Sequence, residues 1–127
     1  MSNHEYLTAA DVLALHSVLI KRYGGLEGVR DMGALESALF RPQTGYYKDL
    51  IEEVAALLES LAINHPFIDG NKRVAFAVAD TFLRINDQVI TADSTTIYEK
   101  LIALFDAGDF TFDSLEKWLR EAVKEVD

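Results

Sequence analysis

Apolar residues recur at helical spacing along nearly the whole chain. Val12, Leu15, Leu19 and Tyr23 mark one face of a first helix, which Thr8 can cap and the Gly24-Gly25 pair stops. Asp31 caps a short second helix carrying Leu35 and Leu39. This helix ends near Arg41, because Pro42 disfavours helical geometry in the residue before it. Residues 42–48, PQTGYYK, read as a surface loop. Leu50, Val54, Leu57, Leu58 and Leu61 give a third helix that runs up to His65, with Pro66 ending it. A fourth spans roughly Asn71 to Ile85, and its first half is apolar on all sides, the signature of a central buried helix. Ile97, Leu101, Leu104 and Phe105 make a fifth. Phe112, Leu115, Trp118, Leu119 and Val123 make a sixth, with Asp113 and Glu116 at capping-box spacing. The pattern predicts one all-α domain over residues 1–127, a compact bundle of about six helices packed round the fourth. His4 is expected to be disordered, and the tail EAVKEVD to be a solvated helix end.

Composition narrows the function. At 127 residues with half of them hydrophobic, the chain can bury one continuous core. A formal charge of −9 argues against direct nucleic-acid binding, whose footprint is a basic patch, so any polyanion must be met by local charge. The absence of cysteine excludes a disulfide framework and a thiolate metal site. The N-terminal residues lack the basic region and apolar run of a signal peptide, and no segment has the length of a membrane span; the expected location is the cytoplasm.

The chemistry concentrates in HPFIDGNKR, residues 65–73. Lys72 and Arg73 fall in the first turn of the fourth helix, where the helix dipole disfavours a cation by a few tenths to about 1 kcal/mol. A bound anion would offset this. Free N–H groups at a helix start, preceded by Gly70, which lets the backbone approach a ligand closely, form an anion site. Two added cations point to a polyphosphate, with Arg73 forking onto a second phosphoryl group. Asp69 then calls for a cation between it and the phosphates, for which Mg²⁺ is suited. His65 could accept a proton from an attacking hydroxyl. A plainer reading stands beside this one: a turn with Asn71 as N-cap, His65 as a helix C-terminal cation, and Lys72 and Arg73 as a solvated pair. His16, on the apolar face of the first helix, reads more readily as a satisfied core histidine than as a site residue.

HPFIDGNKR resembles the signature of the Fic/Doc superfamily. Its Fic branch reads H-P-F-x-[DE]-G-N-G-R-x-x-R, and its Doc branch, the death-on-curing toxins, reads H-x-F-x-[DN]-x-N-K-R. The stretches RYGGLEGVRDMGALESALFRPQ, residues 22–43, and FLRIND, residues 82–87, look like the flanking regions of Doc-like toxins. The resemblance implies the all-helical Fic fold and a set of roles. His65 matches the catalytic base, Asp69 the Mg²⁺ ligand, and Phe67 a buried anchor of the loop. Gly70, Asn71, Lys72 and Arg73 match the nucleotide cradle, in which Asn71 orients the transferred group and Arg73 neutralises phosphate charge. Thr44, Gly45, Tyr46 and Tyr47 stand in the place of the flap that pairs with a target segment, although the tyrosines could equally be packing.

Lys72 replaces the glycine of the Fic branch, and Phe76 its second arginine. Both look like Doc, whose nucleotide is inverted so that the γ-phosphoryl group faces the base. The implied reaction is transfer of that group from ATP to a protein hydroxyl, by family resemblance a threonine of elongation factor Tu, arresting translation and growth. Two alternatives are open: a Fic-type AMP transferase, and a non-catalytic protein that binds a nucleotide or an antitoxin. The self-inhibition pattern [ST]-x-x-x-E-[GN] comes nearest at Thr95 to Glu99 and fails at Lys100. The resemblance therefore implies a separate antitoxin, whose disordered segment folds over the active site.

Overall fold

In the computed structural model the described residues are 4–126. Five of the six α-helices begin at a side-chain cap. In α1 (Ala9–Tyr23) the Thr8 hydroxyl accepts from the Asp11 N–H, and the Asp11 carboxylate accepts in return from the Thr8 N–H. Asp31 caps α2 (Met32–Phe40), Asp49 caps α3 (Leu50–Ile63), Asp93 caps α5 (Ser94–Asp106) and Thr111 caps α6 (Phe112–Ala122). The remaining helix, α4 (Asn71–Ile85), starts at Gly70 with no side-chain cap.

These helices form the predicted compact bundle, to which a small two-stranded sheet is added. No residue of α4 from Asn71 to Leu83 is exposed, so the fourth helix is central as its sequence requires. It shares that position with α3, which packs against α2, α4 and α6. Leu58, Leu61, Phe67, Phe82, Leu83, Leu115 and Leu119 form the middle of the core, where truncation of a leucine to alanine costs about 2–5 kcal/mol. Among the described residues no helix is long and apolar enough to cross a membrane.

The structure departs from the sequence expectations at several places. The third helix stops at Ile63 rather than reaching His65, because Pro66 pushes the preceding residue out of the right-handed region; His65 is left-handed, with φ 48°. Residues 41–43, expected to open into a surface loop at Pro42, wind into a 3-10 turn with Pro42 buried. Arg41 pins this turn by donating to the Ala56 carbonyl, Glu59 and the Ser60 hydroxyl. The tail is a helix end only at Glu121 and Ala122, and Asp127 lies outside the described residues. Val123–Glu125 (β2) pairs antiparallel with Gln88–Ile90 (β1), Ile90 opposite Val123, because Val89, Ile90 and Val123 favour extended backbone and Ile90 is buried. His4 is placed against α3: its Nδ1 lies 3.0 Å from Glu53 Oε2, while Tyr6 Oη donates to Oε1 at 2.7 Å. Glu53 is buried, and a buried carboxylate requires such partners. In α6 the cap is Thr111, two residues before the expected Asp113.

Asp11 and Asp93 are held below the ordinary carboxyl range chiefly by the N–H groups of Thr8 and Thr96. For Asp49, partial burial acts upward but is outweighed by Arg120 and the Glu52 N–H, and the net shift is again downward. A carboxyl depressed in the folded state stabilises fully above its unfolded value and loses that contribution as pH falls through the folded one. Stability is therefore expected to decline below about pH 4. In a series of melting temperatures from pH 2.5 to 7, Asp49→Asn should show a shallower acid decline than the unaltered chain and a lower plateau at neutral pH.

Candidate functional site

Residues 64–70 cross from α3 to α4, and three sets of bonds fix their path. The first is made by Asn71, whose Oδ1 accepts from the Phe67 N–H and whose Nδ2 donates to the Phe67 carbonyl, both at 2.9 Å. Asn71 is buried and is the first residue of α4, so its side chain turns back into the loop instead of capping the helix. Gly70 takes the N-cap position in the left-handed conformation, with φ 76°. A β-carbon there would lie 3.2 Å from Ile20 Cδ1.

The second set comes from α1. His16 Nε2 lies 2.7 Å from the Asp69 carbonyl, which only accepts, so that nitrogen carries the proton. The buried ring stacks on Phe67 with centroids 3.8 Å apart and planes at 7°. His16 is thus a satisfied core histidine that also holds the motif loop.

The third set comes from residues 25–31. Gly28 O accepts from the Ile68 N–H at 3.1 Å, and the N–H groups of Arg30 and Asp31 donate to Pro66 O at 2.8 and 3.0 Å. Val29 bridges Phe67 in antiparallel fashion. Arg30 adds its side chain: Nε donates to His65 O at 2.6 Å and Nη2 to Asn64 O at 2.7 Å. The Asp69 carboxylate accepts from the Leu26 N–H at 3.1 Å and from the Gly70 N–H at 2.9 Å. A β-carbon on Gly25 would come within 2.8 Å of Asp69 Oδ2, so a glycine there lets the carboxylate sit where it does.

The result is an open groove of about 460 Å³, lined by His65, Asp69, Gly70, Asn71, Lys72 and Arg73 together with Tyr23 and Tyr98. Its floor is the start of α4. With no side-chain cap, and with the helical bonding beginning at Val74 N–H to Gly70 O, the first-turn N–H groups remain for a ligand. Lys72 Nζ lies 4.0 Å from the centroid of the Phe105 ring; the Arg73 guanidinium lies 4.1 Å from that of Tyr23 and 5.0 Å from that of Tyr98. Among the described residues neither cation forms an ion pair with a carboxylate. Both positive charges therefore rest on aromatic faces, which hold a cation without neutralising it.

No group of three or more His, Cys, Asp or Glu side chains that could hold a metal occurs among the described residues, so there is no protein-only metal cage. Asp69 has one backbone donor on each oxygen, which leaves lone pairs free. A single available carboxylate beside an anion cradle fits Mg²⁺, which takes one or two carboxylates and completes its shell with phosphate oxygens and water.

Thr44, Gly45, Tyr46 and Tyr47 are not brought to this groove. They lie before the start of α3, whereas His65 follows its end, one helix length or roughly 20 Å away. Thr44, Gly45 and Tyr47 line a separate hollow with Glu53. Tyr47 Oη accepts from Arg41 Nε at 2.7 Å, its ring packs on Phe112, and Tyr46 stands edge-on to it. Tyr47 is a packing residue of the α3/α6 side, Tyr46 is exposed, and the segment beside the motif is 25–31. The stretch 22–43 carries the resemblance, but its contact with the motif and the role of Arg30 are not visible in the sequence; the glycines at 24, 25 and 28 are the available signal of close backbone approach.

The Fic/DOC family model matches residues 6–83, which carry the motif, α3, α4 as far as Leu83 and the bracing segment. The chain belongs to the Fic/DOC family. It is 49% identical over 94 residues, 70% of either chain, to the toxin Doc of Mycolicibacterium smegmatis. It is 40% identical over 85 residues, 64% of this chain and 68% of the relative, to the protein kinase doc of Escherichia phage P1. The part of the chain beyond the Fic/DOC match includes α5, which supplies the Tyr98 and Phe105 rings against the motif cations.

His16→Ala should remove the partner of the Asp69 carbonyl and open a hole beside Phe67. Urea unfolding is expected to show a loss of roughly 2–4 kcal/mol with an unchanged slope.

Proposed function

We propose that this protein is a Doc-type toxin that transfers the γ-phosphoryl group of ATP to a protein hydroxyl, with a threonine of elongation factor Tu as the target. The observation that carries the proposal is the uncapped start of α4, where two cations without carboxylate partners share a groove with His65 and Asp69. The relatives named toxin Doc and protein kinase doc support it. Their names are also the ground for choosing phosphoryl over AMP transfer, together with Lys72 in place of the Fic glycine.

Phosphoryl transfer requires positioning and charge neutralisation more than covalent chemistry by the enzyme. The first-turn N–H groups of α4 cradle one phosphoryl group, and Lys72 and Arg73 leave their rings to meet further phosphate charge. Asp69 would hold Mg²⁺ against the phosphates, and the ion when bound neutralises their charge. His65 accepts the proton of the target hydroxyl at a ring nitrogen as the hydroxyl oxygen bonds to the γ-phosphorus. The bond from that phosphorus to the bridging oxygen breaks, and ADP departs with its electron pair. Asn71 serves the transfer by shaping the cradle through Phe67. With this target the reaction takes place in the cytoplasm and arrests translation and growth. A separate antitoxin segment would lie along the groove and switch the enzyme off, since Lys100 breaks the self-inhibition pattern that Thr95 and Glu99 begin on α5.

The test uses purified elongation factor Tu and ATP labelled on either the γ- or the α-phosphate. Label is expected from the γ position alone, with at least a hundredfold loss in His65→Ala. Label from the α position would make the protein an AMP transferase, and transfer undiminished in His65→Ala would remove His65 as the base.

A further inference from the structure

We infer that Arg30 is the positioning residue for His65, holding the proposed base in the backbone conformation that presents it to the groove. The inference rests on the phosphoryl-transfer reading for its kinetic consequence, but its geometric content stands apart from that reading. His65 follows the end of α3 in the left-handed conformation, with φ 48°. Glycine, and less often asparagine, normally occupies such a site, because a β-carbon crowds the backbone there. A histidine stays left-handed only where its surroundings impose it.

Arg30 supplies that constraint. Its fork closes on the two carbonyls that flank the turn, Asn64 O at 2.7 Å and His65 O at 2.6 Å. These are bonds from a charged donor to carbonyls beyond the last turn of a helix, where a cation is favoured. Rotation of His65 into the right-handed or extended region would swing its carbonyl away from Nε and break the fork. The same rotation would redirect the Cα–Cβ bond and carry the imidazole off the groove. Arg30 is in turn anchored by its own N–H, which donates to Pro66 O at 2.8 Å. The cradle does not depend on it: Asn71 and His16 hold Phe67 and Asp69 independently.

The separation of duties predicts a split in the kinetics. Arg30→Ala should lower kcat for elongation factor Tu by about tenfold to a hundredfold while leaving the KM for ATP within about twofold. Arg30→Lys, which keeps the charge but reaches one carbonyl rather than two, should fall between. Arg30 is exposed, so both variants should fold, and their melting curves check it. In parallel, the backbone resonances of His65 should move in Arg30→Ala while those of Asn71 to Val74 stay in place. Unchanged kcat with unmoved His65 resonances would overturn the inference. A parallel rise in KM with displaced Asn71 to Val74 resonances would also overturn it, since Arg30 would then support the whole loop. If the unaltered protein transferred no label, the phosphoryl-transfer reading would fail, and the His65 resonances alone would decide the role of Arg30.

Discussion

The side-chain amide of Asn71 closes a ring with the backbone of Phe67, and the uncapped start of α4 depends on it. A helix start usually recruits a side chain to occupy its free N–H groups, as Thr8, Asp31, Asp49, Asp93 and Thr111 do elsewhere in the molecule. In α4 the one residue suited to that task is committed to the loop. Gly70 fills the cap position without offering an acceptor, and the donors are left facing the groove. The loop is then stiff enough for its other members to be placed: Phe67 stacks on His16, and His16 holds the carbonyl of Asp69.

A second constraint is electrostatic. The chain carries a net charge of −9, and many of its carboxylates are spent on helix starts and on ion pairs with Arg41, Arg84 and Arg120. Lys72 and Arg73 escape this pairing because the side chains packed against them are rings of α1 and α5. An acidic protein thereby keeps a small positive site. The surrounding negative charge opposes long polyanions, whereas the positive charge of this site acts only at short range.

The helices were legible in the sequence because the 3.6-residue period and the caps agree along most of the chain. The N-terminus of α4 was legible from Gly70 followed by Asn71 and an apolar run. The β1/β2 pair was not, since strands of three residues carry no detectable alternation and their partners lie more than thirty positions apart. His65 was visible as chemistry, but its left-handed backbone was not, because nothing local to a histidine announces φ of 48°. Arg30 was invisible for a related reason: it acts on carbonyls 34 and 35 residues away. The 44–47 loop was misplaced although chain order already sets it before α3 and the motif after it, because the resemblance was followed in place of that order. The Tyr47 contacts with Arg41 and Phe112 fix the loop in three dimensions.

The two ends of α4 are secured alike. Asn71 binds Phe67 at the start, and at the end Asn86 accepts from the Glu5 N–H through Oδ1 and donates to the Glu5 carbonyl through Nδ2. Each amide both accepts from and donates to one backbone residue, Asn86 donating also to the Phe82 carbonyl, a pairing that no carboxylate can reproduce. An aspartate at position 71 would set an anionic oxygen against the Phe67 carbonyl, at the point that fixes the path of the loop. The shape of the loop is thus staked on a single neutral nitrogen, which an aspartate of the same size could not replace.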